Sequence, residues 1–493
     1  MRSRTWIIMV LVAGLLSACS DWLDVKPEDE VDANVLFETG QGYRNALNGV
    51  YNNMAEGTMY GKEMTWGTVD VIAQLYESFE TRYTWYKVMN YEYTDKDVKS
   101  IVSNIWSNTY TAITNCNNLL AEVDKATPDV FAEGQIEKNL ILGEAYALRA
   151  YLHFDILRLF APAPIVADNK GYIPYFEKHG SLSEPYLSVD SVIGRVERDL
   201  LRAKNLLAMY DTVGRNAAAL LTDIRLEGAS NALGGDEAID DLFFFYRGYR
   251  MNYYAVTAML ARVYDYARRG EEACKQALEV IHAKGWNSSD SRTWCFDFTE
   301  TTTSKVFQTP KLHDGVIFGL SNSTLIDDYK PYVTNEGCQL KLDKEKIYGK
   351  SLEDVRASLI SADKYSLKYQ EHSGGVDQVD DLIPMIRLSE MYFIVSDYLY
   401  RNGKTVEMRD YNDNLVNQDG IRALRDVRFG RGITEWNETS VTNIDEMENA
   451  IIAEARREFI GEGQLFFYYK KYNKKPVDGV VYSFPLPDNE LIH

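Results

Sequence analysis

Apolar residues recur along much of the chain with the 3.6-residue period of amphipathic helices. The longest such segment is 135–160, and Pro162 and Pro164 end the pattern directly after it. The same period predicts further helices over 98–123, 189–209, 251–269, 271–283, 386–401, 418–428 and 444–460. Several of these follow one another across short turns, which predicts a mainly α protein built from helix–turn–helix pairs. Each pair needs a neighbour to cover its apolar face, which favours a TPR-like stack.

Residues 286–382 interrupt the helical pattern. They hold many turn-forming residues, short alternating runs such as 315–319, and few long apolar stripes. We therefore predict a helical N-terminal part over 41–250. The C-terminal part, 251–493, is predicted to carry the loop-rich insert 286–382.

The first 18 residues have the layout of a signal peptide. Arg2 and Arg4 precede an apolar run over 6–16 that is too short to span a bilayer. The run ends in the letters LSAC, which resemble a bacterial lipobox and make Cys19 the predicted lipidation site. An ordinary secretory cleavage site, with Cys19 incidental, is the alternative. Residues 19–40 are predicted to form an acidic tether, so we expect a soluble body anchored to a membrane by acyl chains.

Composition narrows the class of protein. Of the 493 residues, 45% are hydrophobic and 26% are charged, which is typical of a globular chain and excludes extended disorder. The 53 Lys and Arg against 73 Asp and Glu give a net charge of −20. Such a surface repels phosphate backbones, and no basic patch is visible in the sequence, so nucleic-acid binding is not expected.

Motifs for catalysis are missing from the sequence. With 73 acidic residues some pair of carboxylates always occurs, so no glycosidase-type pair is assigned. The six histidines lack HxxxH or HExxH spacing, and the chain has neither Gly-x-Ser-x-Gly nor a glycine-rich phosphate loop. We therefore predict no catalytic residue, no metal ligand and no cofactor.

Four cysteines follow Cys19. Cys116 and Cys274 lie in helical patterns and are expected to be small core residues. Cys295 and Cys338 lie in loop-rich sequence, where an oxidising compartment would permit a bridge between them. The sequence leaves that pairing open.

Four blocks in order along the chain carry a family resemblance. They are the lipobox with its acidic tether, GEAYALRAYLHFDILRLF at 143–160, YAVTAMLARVY at 254–264, and the pair IPMIRLSEM at 383–391 and EARREFIGEGQ at 454–464. With these blocks the chain is similar to the SusD/RagB family of nutrient-binding outer-membrane lipoproteins of Bacteroidetes. The resemblance implies a SusD-like, TPR-like α-fold anchored on the outer membrane and exposed at the cell surface.

The resemblance also implies a function and a partner. Family members bind a nutrient, usually a glycan, and act as a lid on a SusC-like TonB-dependent outer-membrane transporter. The RagB branch implies a peptide as the alternative ligand, and an unrelated surface enzyme acting on polysaccharide is the third hypothesis. The charged residues of the blocks are interpreted as ion pairs that hold helix pairs together, namely Arg149, Arg262, Arg387 and Arg457 with Glu144, Glu390 and Glu458. His153 is expected to be structural.

A sugar presents apolar C–H faces and polar edges, so its receptor needs aromatic rings with polar side chains beside them. Rings on loops are the informative ones, because rings on a helix stripe belong to the core. Two regions qualify, 60–93 and 286–348; the second includes Trp286, Tyr329 and Tyr332. The predicted ligand-binding residues are Tyr83, Trp85 and Trp294, followed by Trp66, Arg82 and Asp70. The alternative is that these rings pack against neighbouring loops.

Overall fold

The computed structural model describes residues 33–226, 241–287, 289, 291–335, 337–349, 353–370, 379–436 and 438–492. The predicted signal peptide, the predicted lipidation site Cys19 and most of the predicted acidic tether lie outside these residues. The described α-helices are α1 Ala33–Leu36, α2 Gly40–Ala55, α3 Thr68–Ile72, α4 Thr84–Met89, α5 Lys96–Lys125, α6 Gly134–Phe160, α7 Val189–Asp211, α8 Thr222–Arg225, α9 Tyr253–Tyr266, α10 Gly270–Ile281, α11 Thr303–Gln308, α12 Leu325–Tyr329, α13 Pro331–Thr334, α14 Lys344–Tyr348, α15 Leu388–Asn402, α16 Gly420–Phe429, α17 Ile444–Glu458 and α18 Leu465–Tyr472.

The described strands are short and form two-stranded antiparallel pairs. They are β1 Ile173–Pro174, β2 Tyr186–Leu187, β3 Lys284–Trp286, β4 Arg292–Trp294, β5 Val316–Ser321, β6 Leu382–Arg387, β7 Val406–Arg409 and β8 Leu415–Gln418, paired in that order. The molecule is therefore mainly α, as predicted. Four of the eight described strands, β3 to β6, lie in or beside the insert, where the helical pattern of the sequence fails.

Helix α6 is the centre of the N-terminal part. Every residue from Asn139 to Phe160 is buried, although the sequence predicted a single apolar stripe. The reason is that α6 packs against both α5 and α7, so no face of it is left to solvent. At Gly143 a Cβ atom would lie 2.8 Å from the side chain of Leu207 on α7, so only glycine permits this close approach.

The C-terminal part repeats the same kind of packing. Helix α9 packs against α10, α10 against α15, and α15 against both α16 and α17. Helix α7 also packs against α9, and one continuous hydrophobic core includes residues from both predicted parts. The stacked helix pairs agree with the predicted TPR-like arrangement.

The start of α15 and the strand before it differ from the sequence prediction. The helix predicted over 386–401 begins at Leu388, because 382–387 is the fully buried strand β6, which pairs with β5. A fully buried strand has no alternating pattern, so its apolar run was merged with the helix that follows. The sequence also missed α2 and α18. Thr39 caps α2 by accepting a hydrogen bond from Gly42 N–H, a signal that was present in the sequence.

The charged residues of the family blocks form buried ion pairs. Arg262 of α9 holds Glu390 of α15 through two contacts of 2.7 Å, and the sequence predicted this kind of helix-to-helix lock. Several other partners differ from the residues that the sequence placed beside them. These pairs are Arg149–Asp199, Arg247–Glu144, Arg250–Glu144, Arg387–Glu462, Arg356–Glu458, Arg431–Glu458 and Arg457–Glu454.

His153 is a buried structural residue, as predicted. Its ring stacks on Tyr175 at 3.7 Å, and its Nε2 accepts a hydrogen bond from Phe176 N–H at 3.1 Å. Nδ1 therefore carries the proton and donates to the carbonyl of Arg149 at 2.9 Å. Burial lowers the pKa of His153 to about 3, so the ring is neutral at physiological pH.

The four described cysteines are all free thiols. Cys116 and Cys274 are buried in helices, as the sequence predicted. Cys295 is fully buried and Cys338 is half-buried, and no bridge joins them. Burial raises the pKa of the Cys295 thiol to about 12, so this side chain behaves as a small core residue.

Candidate ligand-binding surface

The two regions that the sequence singled out meet on one side of the molecule. Tyr76 forms an isolated antiparallel bridge with Leu342, and Glu77 N–H donates to the carbonyl of Lys341 at 2.7 Å. Glu80 N–H then donates to the carbonyl of Gly337 at 3.3 Å. The segment 76–80 therefore runs along residues 337–342 of the insert and fixes its position.

Gly337 is the point of closest approach between these segments. Its φ is +85°, a conformation that favours glycine. A Cβ atom there would lie 2.5 Å from the ring of Tyr83 and 2.7 Å from the carboxylate of Glu80. The loop before α4 can pack on the insert because this residue has no side chain.

A group of aromatic rings lies where the two segments meet. The rings of Trp85 and Tyr332 are stacked, with centroids 4.5 Å apart and an interplanar angle of 24°. Trp66 packs edge-on beneath them, 6.4 Å from Trp85 and 5.3 Å from Tyr332. Tyr332 is half-buried, whereas Trp85 is only 6% exposed and Trp66 is fully buried. We call Tyr83, Trp85 and Tyr332 the aromatic ledge.

Charged side chains surround the ledge. Lys62 Nζ lies 5.9 Å from the centroid of the Tyr332 ring and 3.0 Å from Glu63. Burial alone would lower the pKa of Lys62, but Glu63 and Tyr332 together raise it above its usual value, so the ammonium stays charged. On the other side, Arg82 lies over the Tyr83 ring at 4.9 Å. The ledge thus combines ring surface with charged donors and acceptors.

A polar cavity of about 470 Å³ adjoins the ledge. It lies between the 76–80 segment, the 333–341 segment and a turn at 362–365, and Lys364 crosses it to Glu77 at 2.6 Å. Val333, which lines the cavity, directly follows Tyr332 of the ledge. A chain molecule lying on the ledge would therefore extend towards further hydrogen-bonding groups.

The structure places three of the six predicted binding residues at this surface. Tyr83 and Arg82 lie on its rim, and Trp85 forms its stacked pair with Tyr332. Trp66 is fully buried and is not available for stacking on a ligand. Its role is to support the ledge from below, because it packs on Trp85, Tyr329 and Tyr332.

Asp70 is the second predicted residue that the structure removes from the surface. It is fully buried, and its Oδ1 accepts a hydrogen bond from Gly463 N–H at 3.1 Å. Burial raises the pKa of Asp70 well above its usual range. The spacing of polar residues between aromatic ones could not show that α3, which carries Asp70, is a core helix.

Trp294 lies apart from the ledge. It is on the β3–β4 hairpin, where Lys284 lies over its ring at 3.7 Å and Arg409 at 4.6 Å. The same hairpin carries Trp286, which is 40% exposed. The sequence regions 60–93 and 286–348 therefore meet through Tyr332 and not through Trp294.

Two residues of the surface were not leading candidates in the sequence. Tyr332 stood among the rings of the second region without any signal that set it above Trp294. Lys62 lies between the aromatic residues Tyr60 and Trp66, and that interleaving was a usable signal. Only the fold shows that Lys62 and Tyr332 are neighbours.

Within the described residues, no group of three or more His, Cys, Asp and Glu side chains has the geometry to hold a metal ion. In the same part of the chain, no helix has both the length and the apolar surface needed to span a bilayer.

Parts of the chain are similar in sequence to known proteins. Residues 21–216 match the family model SusD-like_3, which is described as starch-binding associating with outer membrane. SusD-like protein P2 from Formosa agariphila is 24% identical over 162 residues, which cover 33% of this chain and 30% of that protein. The match therefore spans less than a third of the curated relative.

Solved structures resemble the chain over most of its length. A SusD superfamily protein from Bacteroides vulgatus gives a TM-score of 0.65 at 20% identity and covers 92% of this chain and 97% of its own. A SusD-like carbohydrate binding protein from the same species gives 0.62 at 16% identity, covering 88% and 84%. Surface glycan-binding protein A from Bacteroides thetaiotaomicron gives 0.60 at 14% identity, covering 93% and 98%. At these identities the likeness shows a shared fold.

Proposed function

We propose that the chain is a SusD-like protein and that it binds a glycan on the aromatic ledge at the cell surface. The observation that carries the proposal is the stacked pair of Trp85 and half-buried Tyr332, with charged side chains beside it. A sugar ring placed over Tyr332 would bury its apolar C–H face, while its hydroxyl groups would reach Lys62 and Arg82.

We further propose that the bound glycan passes to a SusC-like TonB-dependent outer-membrane transporter. The description of the matching family supports an outer-membrane setting, since it names both starch binding and association with that membrane. Co-purification from detergent-solubilised outer membranes tests this step. A large β-barrel should be recovered with the protein, and its absence under conditions that preserve other outer-membrane complexes would contradict the proposal.

The lipid anchor is a third part of the proposal. Cys19 follows the apolar run in the order expected of a lipobox, and the structure describes nothing of this region. Mass spectrometry of the mature N-terminus should find an acylated Cys19, and Cys19→Ser should release the protein from the membrane fraction. An unmodified cysteine inside a longer N-terminal peptide would contradict it.

The ligand class is tested by calorimetry against a panel of neutral glycans, charged glycans and peptides. We expect a glycan to bind and Trp85→Ala to weaken it, whereas Trp294→Ala should have little effect, since Trp294 lies on a separate hairpin. Binding of peptides alone would favour the RagB-type alternative. Release of reducing ends from a polysaccharide by the purified protein would instead favour the enzyme hypothesis.

A further inference from the structure

The end of the molecule at which the described chain begins carries a group of exposed aliphatic side chains. Five of them, each 39–73% exposed, are Val35 of α1, Ile136 of α6, Met209 of α7, Val213 just after α7, and Leu242. We call these five residues the aliphatic patch. Exposed apolar side chains that lie together mark a contact surface, whereas single ones scattered over a protein do not.

The start of α6 and the end of α7 bring three of the patch residues together. Asn139, one turn after Ile136 on α6, donates a hydrogen bond to the sulfur of Met209 at 3.0 Å. Val213 lies one turn past Met209, and its backbone N–H donates to the carbonyl of Tyr210 at 3.2 Å. Ile136, Met209 and Val213 are therefore neighbours, although two of them are more than 70 positions from the third.

An ion-pair cluster adds Leu242 to the same surface. Arg44 of α2 pairs with Glu137 at 2.5 Å and with Asp241 at 2.7 Å. Glu137 directly follows Ile136, and Asp241 directly precedes Leu242, so the two aliphatic side chains flank one guanidinium group. Two carboxylates share one guanidinium, so the cluster offers no positive charge to an anionic ligand.

The predicted lipid anchor is tied to this same end. The described chain begins at Ala33 in α1, and a Cβ atom on Gly42 of α2 would lie 1.5 Å from the carbonyl oxygen of Leu36. Helix α1 is thus packed against the first turn of α2, which also carries Arg44. Any chain tethered through Cys19 is held to its membrane from this side.

The length of the tether decides which surface meets the bilayer. The segment 19–32 lies between the predicted lipidation site and α1. A chain of that length reaches about 50 Å when fully extended and about 20 Å as a coil. A folded body of this size has a radius of gyration of about 23 Å and a diameter of about 60 Å. The end that carries α1 is therefore the end closest to the lipid, if Cys19 is acylated as proposed above.

Acyl chains fit the aliphatic patch better than a sugar or a protein does. No member of the patch carries a ring, a hydroxyl, an amide or a charge, so it gives a glycan neither a stacking face nor a hydrogen bond. At about 100 Å² for a whole aliphatic side chain, the exposed fractions amount to about 300 Å² of apolar surface. A stable protein complex covers about 800 Å² on each partner.

We propose that the aliphatic patch inserts into the lipid surface and holds the body in one orientation on the membrane. This proposal rests on the lipid anchor of the proposed function and adds a second contact to it. An apolar contact of this area is weak by itself, and the tether keeps it at a high local concentration of lipid. A tether alone would leave the body free to turn.

The test uses the mature chain with Cys19→Ser, so that no acyl chain contributes to binding. Flotation is measured with phosphatidylcholine vesicles and with vesicles that also contain phosphatidylglycerol. The patch variant adds Met209→Ser and Leu242→Ser. The matched control adds Leu182→Ser and Val481→Ser, which remove aliphatic side chains that are 99% and 42% exposed. One control residue lies between β1 and β2, and the other lies in the segment that packs on the C-terminal end of α6.

We expect the parent chain to float with both kinds of vesicle at millimolar lipid. Salt should not weaken this binding, because the contact is apolar. The patch variant should lower the partition coefficient at least about tenfold, since two exposed side chains no longer enter the lipid. The control variant should stay within about twofold of the parent chain.

A fluorescent label shows where the chain touches the lipid. Cys338→Ser first removes the half-buried thiol, and the other three described cysteines are buried. An environment-sensitive label is then attached at Leu242→Cys or at Leu182→Cys. Vesicles should shift the emission of the label at position 242 to shorter wavelength and leave the label at position 182 unchanged.

Several results would overturn the proposal. Equal flotation of the patch and control variants would show that the patch is not used, and a shift only at position 182 would place the contact on another face. Binding that needs phosphatidylglycerol and falls with salt would make the contact electrostatic. Self-association without vesicles that the patch variant abolishes would assign the patch to a second copy of the chain. Loss of a co-purified β-barrel with unchanged flotation would assign it to a protein partner.

The proposed function and this proposal fail separately. An unmodified Cys19 in the mature protein would refute the anchor, whereas the flotation measurements do not involve acylation. The patch variant should also bind glycans as the wild type does, because no residue of the aromatic ledge belongs to the patch.

Discussion

Replacing Tyr332 by alanine is the sharpest perturbation of the proposed glycan site. Tyr332 is half-buried, and one face of its ring is stacked on Trp85 at 4.5 Å. The substitution therefore removes the ring that a sugar would cover, and leaves the buried supporting ring of Trp66 in place. Tyr332→Phe keeps the ring and removes only the hydroxyl group beside Lys62.

The expected size of the effect follows from the area of one ring face. A sugar stacked on Tyr332 would cover about a third of the roughly 150–250 Å² that a buried aromatic side chain contributes. At about 25 cal/mol/Å² this area corresponds to about 1.5 kcal/mol, or about a tenfold rise in Kd. Loss of the stacked pair with Trp85 should lower the free energy of unfolding by about 0.5–1.5 kcal/mol, which leaves the protein folded.

Calorimetry with the glycan that binds most tightly to the wild type measures this effect. Tyr332→Ala should raise Kd about tenfold, and Tyr332→Phe should stay within about threefold of the wild type. Tyr411→Ala is the control, because Tyr411 is also a surface ring, 37% exposed, with one ring partner in Phe429 at 5.3 Å. An unchanged Kd in Tyr332→Ala, or an equal loss in Tyr411→Ala, would refute the assignment of the ledge.

Three further predictions concern the fold beneath this surface. Glu390→Gln should lower the free energy of unfolding by about 3–5 kcal/mol in urea titrations, because it leaves Arg262 charged and buried. The double variant Arg262→Met with Glu390→Leu should recover much of that loss. Trp66→Ala should cost about 3–5 kcal/mol in the same assay, and a loss below about 1 kcal/mol would contradict its supporting role. Burial raises the pKa of Asp426 from 3.8 to about 7, because the folded protein favours the protonated carboxyl group. The stability that this group contributes is therefore present below pH 4 and is lost as the pH rises through 7. Asp426→Asn should therefore gain stability relative to the wild type between pH 5 and pH 8 in thermal unfolding, and an equal pH dependence would show that this carboxyl group does not titrate there.

The long helices could be predicted from the sequence because their apolar period is sustained. The prediction over 189–209 lies inside α7, Val189–Asp211, and the prediction over 444–460 ends two residues past Glu458. Strand β6 was missed for a physical reason, since an apolar run buried on both sides has neither the helical nor the alternating period. Helix α2 was missed although Thr39 gave it a capping signal.

The sequence predicted which types of residue form the candidate site better than it predicted which individual residues belong to it. Rings interleaved with charges pointed to Tyr83, Arg82 and Trp85, which the structure places at the ledge or its rim, and their contact with a ligand stays a prediction. Burial separates a side chain that can contact a ligand from one that belongs to the core. No local sequence pattern shows burial, so Trp66 and Asp70 were included among the predicted binding residues. The contact between Trp85 and Tyr332 joins residues about 250 positions apart, so it depends on how the insert folds back.

A crystal structure of the mature protein with its preferred glycan tests the central claim most directly. We predict a sugar ring stacked on Tyr332, with Trp85 behind that ring and with hydroxyl groups within hydrogen-bond distance of Lys62 or Arg82. A glycan bound on the β3–β4 hairpin beside Trp294, with the aromatic ledge uncovered, would contradict the account.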